Sequence, residues 1–258
     1  MIKLSLNGAF GRMGKTIIEV CLSDPEVKIV GLADILGGNK KFLEYPELPP
    51  VEPSLEKYIE DTDVIVDFSS PEGTQQLLQL CKNYKKPIVI GTTGHSDEQL
   101  EKIKESSLYI PIVMSPNMSL GVNLMFKLVD FITKTLSNKN YDIEIIEAHH
   151  NKKKDAPSGT AKKIMEIIKQ NIQDVKFVFR KEGILGERKY NEVGINIIRA
   201  GDIVGEHLVI YSTYGERLEI KHTATSRQTF AKGAVLAAKW IFKKSQPGLY
   251  SMFDVLNI

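Results

Sequence analysis

The stretch "IKLSLNGAFGRMG", Ile2 to Gly14, constrains the fold more than any other in this chain. Ile2, Leu4 and Leu6 alternate as in a strand, a glycine loop follows, and Met13, Ile17, Ile18, Cys21 and Leu22 then recur at helical spacing. A strand that runs through a glycine loop into a helix is the first half of a parallel βαβ unit. Gly8, Gly11 and Gly14 stand where such a unit needs a tight turn, a close backbone approach to a pyrophosphate, and close helix packing. Backbone N–H groups at the start of the helix then face the phosphates. Asp34, at the end of the next strand pattern "KIVGLAD", is the acidic residue placed to accept hydrogen bonds from ribose hydroxyls.

The alternation continues through "DVIVDF", "PIVIG" and "IPIVMS", three further short apolar strands. Between them lie helices with explicit starts. In "SPEGTQQLLQLCKNY" Ser70 caps, Pro71 takes the first helical position and Glu72 the first turn; in "SDEQLEKIKE" Ser96 or Asp97 caps. The loops "GTTG" (Gly91, Thr92, Thr93, Gly94) and "SPNMS" (Ser115, Pro116, Asn117, Met118, Ser119) follow two of the strands, on the side where ligands bind such sheets. Taken singly, each reads as a plain turn more readily than as a cofactor loop. Residues 39–60, with four prolines among acidic residues, predict a connecting loop with one short helix. From Ser119 the pattern changes to a long amphipathic helix, "SLGVNLMFKLVDFITKTL". The strands "YDIEIIEAHH", "INIIRAG", "GEHLVIYST" and "ERLEIKHTA" follow, which predicts a second sheet, mixed or antiparallel. "FAKGAVLAAKWIFKK" closes the chain as a helix that returns to the first domain.

Composition excludes several classes. A net charge of +2 over 258 residues leaves no general nucleic-acid or membrane surface, and no apolar run approaches spanning length. Only Cys21 and Cys81 are present, each on a helical pattern, so neither a disulfide framework nor a cysteine metal site is expected. With an N-terminus that runs straight into a strand, the expectation is a cytoplasmic protein.

The chemistry concentrates in "EAHHNKKKDAPSGTA", Glu147 to Ala161. A strand ends on His149 and His150, which alternation points to opposite sides. Pro157 and Ser158 mark a helix start at Gly159, so the N–H groups of Gly159 and Thr160 face outward toward an anion, beside Lys152, Lys153 and Lys154. Together they form a receptor for a dicarboxylate, and a histidine or lysine among such neighbours can deliver a proton at neutral pH. The plain alternative is a solvated lysine run. Paired histidines also ligate metals, but no third ligand stands at a recognisable spacing, and no metal is expected. His95, His207 and His222 lack comparable company and are expected to have surface or structural roles.

"GAFGRMG", "DFSSPEGT", "GTTG", "EAHHNKKKDAPSGTA", "RAGDIVGEH" and "YSMFDVL", in that order over nearly the whole chain, resemble the dihydrodipicolinate reductases. The resemblance implies an NAD(P)H-dependent enzyme of lysine and diaminopimelate biosynthesis that reduces a small cyclic dicarboxylate. It also implies a Rossmann-like doubly wound parallel sheet (residues 1–118 plus 228–258) and a smaller α+β domain on a mixed sheet (119–227) that binds substrate and assembles a homotetramer. Position by position it implies His149 and Lys153 as catalytic groups, and His150, Gly159 and Thr160 as holders of the substrate carboxylates. Gly8, Ala9, Phe10, Gly11, Arg12, Met13, Asp34, Gly91, Thr92, Thr93, Ser115, Pro116, Asn117 and Met118 match the segments that contact cofactor. Many members carry an arginine after the acidic residue, suited to a 2′-phosphate. Ile35 stands there in this chain, so NADH is the expected cofactor and NADPH the alternative.

Overall fold

A computed structural model of the chain describes residues 1–179, 183, 184 and 186–258. Two compact units divide it, Met1–Leu120 with Arg227–Ile258, and Gly121–Ser226.

The first unit begins β1 (Ile2–Asn7), α1 (Arg12–Leu22), β2 (Val27–Ala33), β3 (Val51–Glu52), β4 (Val64–Asp67), α2 (Pro71–Tyr84), β5 (Ile88–Ile90), α3 (Asp97–Ser106) and β6 (Pro111–Met114). The helix α4 (Leu120–Leu136) leads into the second unit, which contains β7 (Asp142–His149), α5 (Gly159–Asn171), β8 (Lys176–Val178), β9 (Glu192–Arg199), β10 (Gly205–Thr213) and β11 (Glu216–Ala224). The first unit is completed by α6 (Gln228–Phe242), β12 (Gly248–Tyr250) and α7 (Met252–Leu256).

The seven strands of the first unit pair in the order β12-β6-β5-β4-β1-β2-β3, all parallel. Alternation along each strand sends side chains to both faces, and both are covered. Val64 and Val66 join the cluster containing Ile17 and Ile18 of α1 and Ala234, Ala238 and Ile241 of α6. Ile65 joins the cluster of Leu77, Leu78 and Cys81 of α2 and Ile103 of α3. Burial on both faces is why these strands read as continuous apolar runs. The predicted caps form: Ser70 Oγ accepts from Gly73 N–H, and Ser96 exchanges bonds with Gln99 in a full capping box.

Residues 39–60 depart from the expected loop with a short helix. They provide β3, whose Val51 and Glu52 pair with Leu32 and Ala33 of β2, and residues 53–61 pass through bends and turns. Pro49 and Pro50 remove two N–H donors and hold the chain extended just before β3, and Val51 is fully buried there.

The second unit holds a mixed five-stranded sheet in the order β11-β10-β7-β9-β8. β7 is its centre, antiparallel to β10 and parallel to β9, and β10 and β11 form a hairpin that turns at Tyr214 and Gly215. The edge strand β8 has no counterpart among the sequence expectations. The apolar side of α4, with Val122, Met125, Phe126 and Val129, is buried, and Thr133 meets the hydroxyl of the buried Tyr211 at 2.7 Å. Among the described residues no helix is long and apolar enough to cross a membrane.

Candidate active site

In the first unit the chain runs from β1 through β2 to β3 on one side, and from β4 through β5 and β6 on the other. The strand order therefore reverses between β1 and β4, where open α/β sheets hold their ligands beyond the carboxyl ends of the strands. The loops after β1, β4, β5 and β6 meet there. Phe68 N–H donates to Asn7 O, Gly91 N–H to Asp67 O and Ser115 N–H to Ile90 O, which joins each loop to the next strand.

The β1 loop is as tight as its glycines suggest. Gly8 has φ +88°, and a Cβ there would lie 2.3 Å from Phe68 O; a Cβ on Gly14 would lie 2.1 Å from Gly8 O. Gly11 is the N-cap of α1 and provides no side-chain cap, unlike Ser70 and Ser96 on α2 and α3. The first N–H groups of α1 thus suit a phosphate. Asp34 accepts Phe10 N–H on one carboxylate oxygen and Leu36 N–H on the other, both at 3.0 Å. Two lone-pair sites remain for ribose hydroxyls. Gly8, Gly11, Asp34 and Ile35 line one cavity of about 610 Å³ together with Ser69 and Gly73. This donor set fits a dinucleotide, which would be held by the β1 loop, the start of α1 and Asp34.

Other predicted contact residues are placed differently. The side chains of Ala9 and Met118 are buried in the core, so only their backbone faces the loops, and Phe10 packs on Phe42 with ring centroids 5.2 Å apart. In the loop after β6, Ser115 Oγ donates to Asn117 O at 2.8 Å. Sequence reasoning missed the residue that organises these loops. Asp67, fully buried, accepts from Asn7 Nδ2, Ser69 Oγ, Thr74 Oγ1 and Thr92 Oγ1, and so ties together the ends of β1, β4 and β5 and the start of α2. A carboxylate closing an apolar strand and followed by hydroxyl residues was the available signal.

In the second unit β7 carries Glu147 and His149 on one face, as a two-residue period requires. Glu147 is fully buried and its Oε2 lies 2.5 Å from His149 Nδ1. Arg199, at the end of β9, forks onto the same carboxylate with Nη1–Oε2 3.0 Å and Nη2–Oε1 2.8 Å. Ser158 N–H donates to Oε1 at 3.1 Å, while Ser158 Oγ caps α5 by accepting Ala161 N–H. Glu147 therefore holds the start of α5 against the end of β7. Burial pushes the Glu147 carboxyl up, but the bonds from His149, Arg199 and Ser158 outweigh it and hold it down at about 2.

His150 and Lys153 share the loop after β7, where Lys153 N–H donates to His150 O and Lys153 Nζ sits 2.8 Å from Asp155 Oδ1. His207 corrects the expectation of a histidine without company. The antiparallel register sets it opposite Glu147, its ring stands edge-on to His149 at 5.3 Å, and its Nε2 lies 3.1 Å from Ser158 Oγ. Burial, then the neighbouring His149, pushes its pKa down to about 3, so it stays neutral.

Glu147, His149 and His207 offer ligand atoms within 4.8 Å of one another, a grouping that invites a cation. The Arg199 guanidinium already occupies both oxygens of that carboxylate and opposes a second cation beside it. The chemistry this cluster suits is proton transfer beside a helix start.

Residues 2–118 match the family model described as "Dihydrodipicolinate reductase, N-terminus", and residues 121–256 match "Dihydrodipicolinate reductase, C-terminus". The chain belongs to the dihydrodipicolinate reductase family. A 4-hydroxy-tetrahydrodipicolinate reductase of Aquifex aeolicus (strain VF5) is 46% identical over 265 residues, covering 100% of this chain and 99% of its own. One from Hahella chejuensis (strain KCTC 2396) is 44% identical over 269 residues, covering 100% of both. The dipicolinate-bound dihydrodipicolinate reductase from Paenisporosarcina sp. TG-14 shares the fold, with a TM-score of 0.76 at 24% identity over 98% of each chain. The N-terminal half of a dihydrodipicolinate reductase is its dinucleotide-binding part, which implies use of NAD(P)H.

Proposed function

We propose that the protein reduces 4-hydroxy-tetrahydrodipicolinate to tetrahydrodipicolinate with NAD(P)H and loss of water, in the diaminopimelate route to lysine. The observation that carries this reading is the cluster at the end of β7, where an oriented His149, the Lys153 ammonium and the start of α5 share one short segment. The substrate is a ring with two carboxylates. Backbone N–H groups of Gly159 and Thr160, with His150, hold one carboxylate, and the lysines beside them attract the other. Bound NAD(P)H supplies the hydride. Reduction of the conjugated imine leaves an enamine whose adjacent ring carbon needs a proton, and His149 and Lys153 are the two groups that hold one.

Gly8 to Met13, Gly91 to Thr93 and Ser115 to Met118 are the cofactor contacts of this reading, and Asp34 sets a preference for NADH. A 2′-phosphate against the Asp34 carboxylate is opposed by about 4 kcal/mol at contact if the effective dielectric is about 20. Ile35, 93% exposed, offers it no countercharge. The second unit also assembles a homotetramer in this reading, supported by the part-exposed Ile146, Leu208, Ile210 and Ile198 on one face of its sheet. The protein is read as working in the cytoplasm.

The test is oxidation of NADH and NADPH by purified protein, with substrate made in place from pyruvate and aspartate semialdehyde. Turnover faster with NADH, and inhibition by pyridine-2,6-dicarboxylate, are expected. No turnover with either nucleotide, given a working coupling enzyme, refutes the reading. His149→Ala and Lys153→Ala should each cost about two to four orders of magnitude in kcat, with NADH affinity retained.

A further inference from the structure

His149 can act on a substrate through only one ring nitrogen, because Nδ1 faces Glu147. Among the described residues Nε2 has no hydrogen-bond partner, and the strand opposite it opens with Gly205, where an added Cβ would sit 3.2 Å from Nε2. The space over that nitrogen is thus kept clear by a residue without a side chain. Glu147 cannot turn away from Nδ1: its two oxygens are fixed by the Arg199 fork and by Ser158 N–H, and Arg199 is itself anchored by bonds to the carbonyls of Ile198 and Asp155.

We propose that Glu147, clamped by Arg199, is the positioning residue of the reaction: it accepts the Nδ1–H of His149, fixes that tautomer, and leaves Nε2 as the atom that holds or moves the proton. This rests on the reading of His149 as a catalytic residue. The geometry does the work of the buried aspartate in a serine-protease triad, which orients its histidine and is not itself protonated.

Charged and titratable groups around His149 include Glu147 on its own strand, Arg199 on β9, His207 on β10, and His150 and Lys153 with Asp155 in the loop after β7. Of these, Glu147 alone reaches Nδ1. His207 lies edge-on to the ring, and the Arg199 guanidinium, paired backbone to backbone with His149, reaches the imidazole through the shared carboxylate.

Two measurements test the role. In protein labelled with 15N-histidine at mildly alkaline pH, the side-chain shifts of His149, assigned by difference from His149→Asn, should show Nδ1 protonated and Nε2 bare. The reverse pattern overturns the proposal whether or not any variant folds. In Glu147→Gln, which keeps the shape and loses the charge, kcat should fall about 10²- to 10³-fold with KM within about threefold, and the tautomers should mix. Unchanged kcat, or an unchanged tautomer, also overturns it. If the wild-type protein shows no reductase activity while His149 keeps Nδ1–H, the proposed function has failed and the positioning geometry has not.

Discussion

Acid should loosen the second unit through Glu147, by an amount that follows from its surroundings. The carboxyl titrates at about 2 in the folded chain against an ordinary 4.5. Because the folded value is depressed, the stabilisation is fully present above 4.5 and is lost as pH falls toward 2. At about 1.4 kcal/mol per unit, the difference corresponds to about 3 kcal/mol near neutrality, of which about 2 kcal/mol is gone by pH ~3. His207, buried and neutral, also weakens the fold in acid, so the acid loss of the wild-type protein alone does not isolate Glu147. Glu147→Gln provides the comparison, since an amide does not titrate. Urea unfolding of both proteins near neutral pH and at pH ~3 should show the wild-type advantage shrinking by about 2 kcal/mol. Parallel pH profiles for the two proteins would refute the claim that the charge of Glu147, and not its shape, binds β7, β9 and α5 together.

Asp67→Ala strands the buried hydroxyl donors of Thr74 and Thr92 and removes an acceptor from the half-buried Asn7 and the exposed Ser69, and should cost about 2–4 kcal/mol of stability and weaken NADH binding measured by nucleotide fluorescence. Wild-type affinity in that variant would remove Asp67 from the organisation of the cofactor loops. Gly205→Ala should lower kcat more than about tenfold while leaving NADH affinity intact, since its methyl group presses on His149 Nε2. Full activity would mean the ring has room to move. Asp34→Ala should narrow the ratio of kcat/KM for NADH over NADPH, and an unchanged ratio would reject its ribose role.

The parts of the fold legible in the sequence are those fixed by neighbours along the chain. Ser70, Pro71 and Glu72 specify the start of α2 from adjacent positions, and the β1 loop announces itself because Gly8 and Gly14 meet groups that no side chain could share. The short edge strands β3 and β8, of two and three residues, carry too little periodicity to be read, and Val51 is defined as a strand residue by its pairing with Leu32. The same divide runs through the site. His149, His150 and Lys153 stand in one short segment and are visible as a group. Arg199 and His207 join them only because β9 and β10 flank β7 in a particular register, which sets Arg199 beside His149 and His207 opposite Glu147. Glu147 lay in plain view inside "EAHH", but its importance comes from Arg199, 52 residues away.

That register also decides where a proton in this cluster can reside. Two histidine rings 5.3 Å apart in a buried site cannot both carry charge cheaply, so the arrangement must favour one of them. The carboxylate that would stabilise an imidazolium touches His149, whereas among the described residues the hydrogen-bond partner of His207 is the neutral hydroxyl of Ser158. Among the described residues the Nδ1 of His207 finds no partner, a cost consistent with a ring kept neutral. His207 therefore acts as a wall that fills space beside His149, props the capping serine of α5, and does not compete for the proton. A basic side chain placed there would repel an imidazolium at His149, and a carboxylate would draw the guanidinium of Arg199 away from Glu147. Neutral His207 does neither, so charge in the cluster stays on the line that runs from Arg199 through Glu147 to His149.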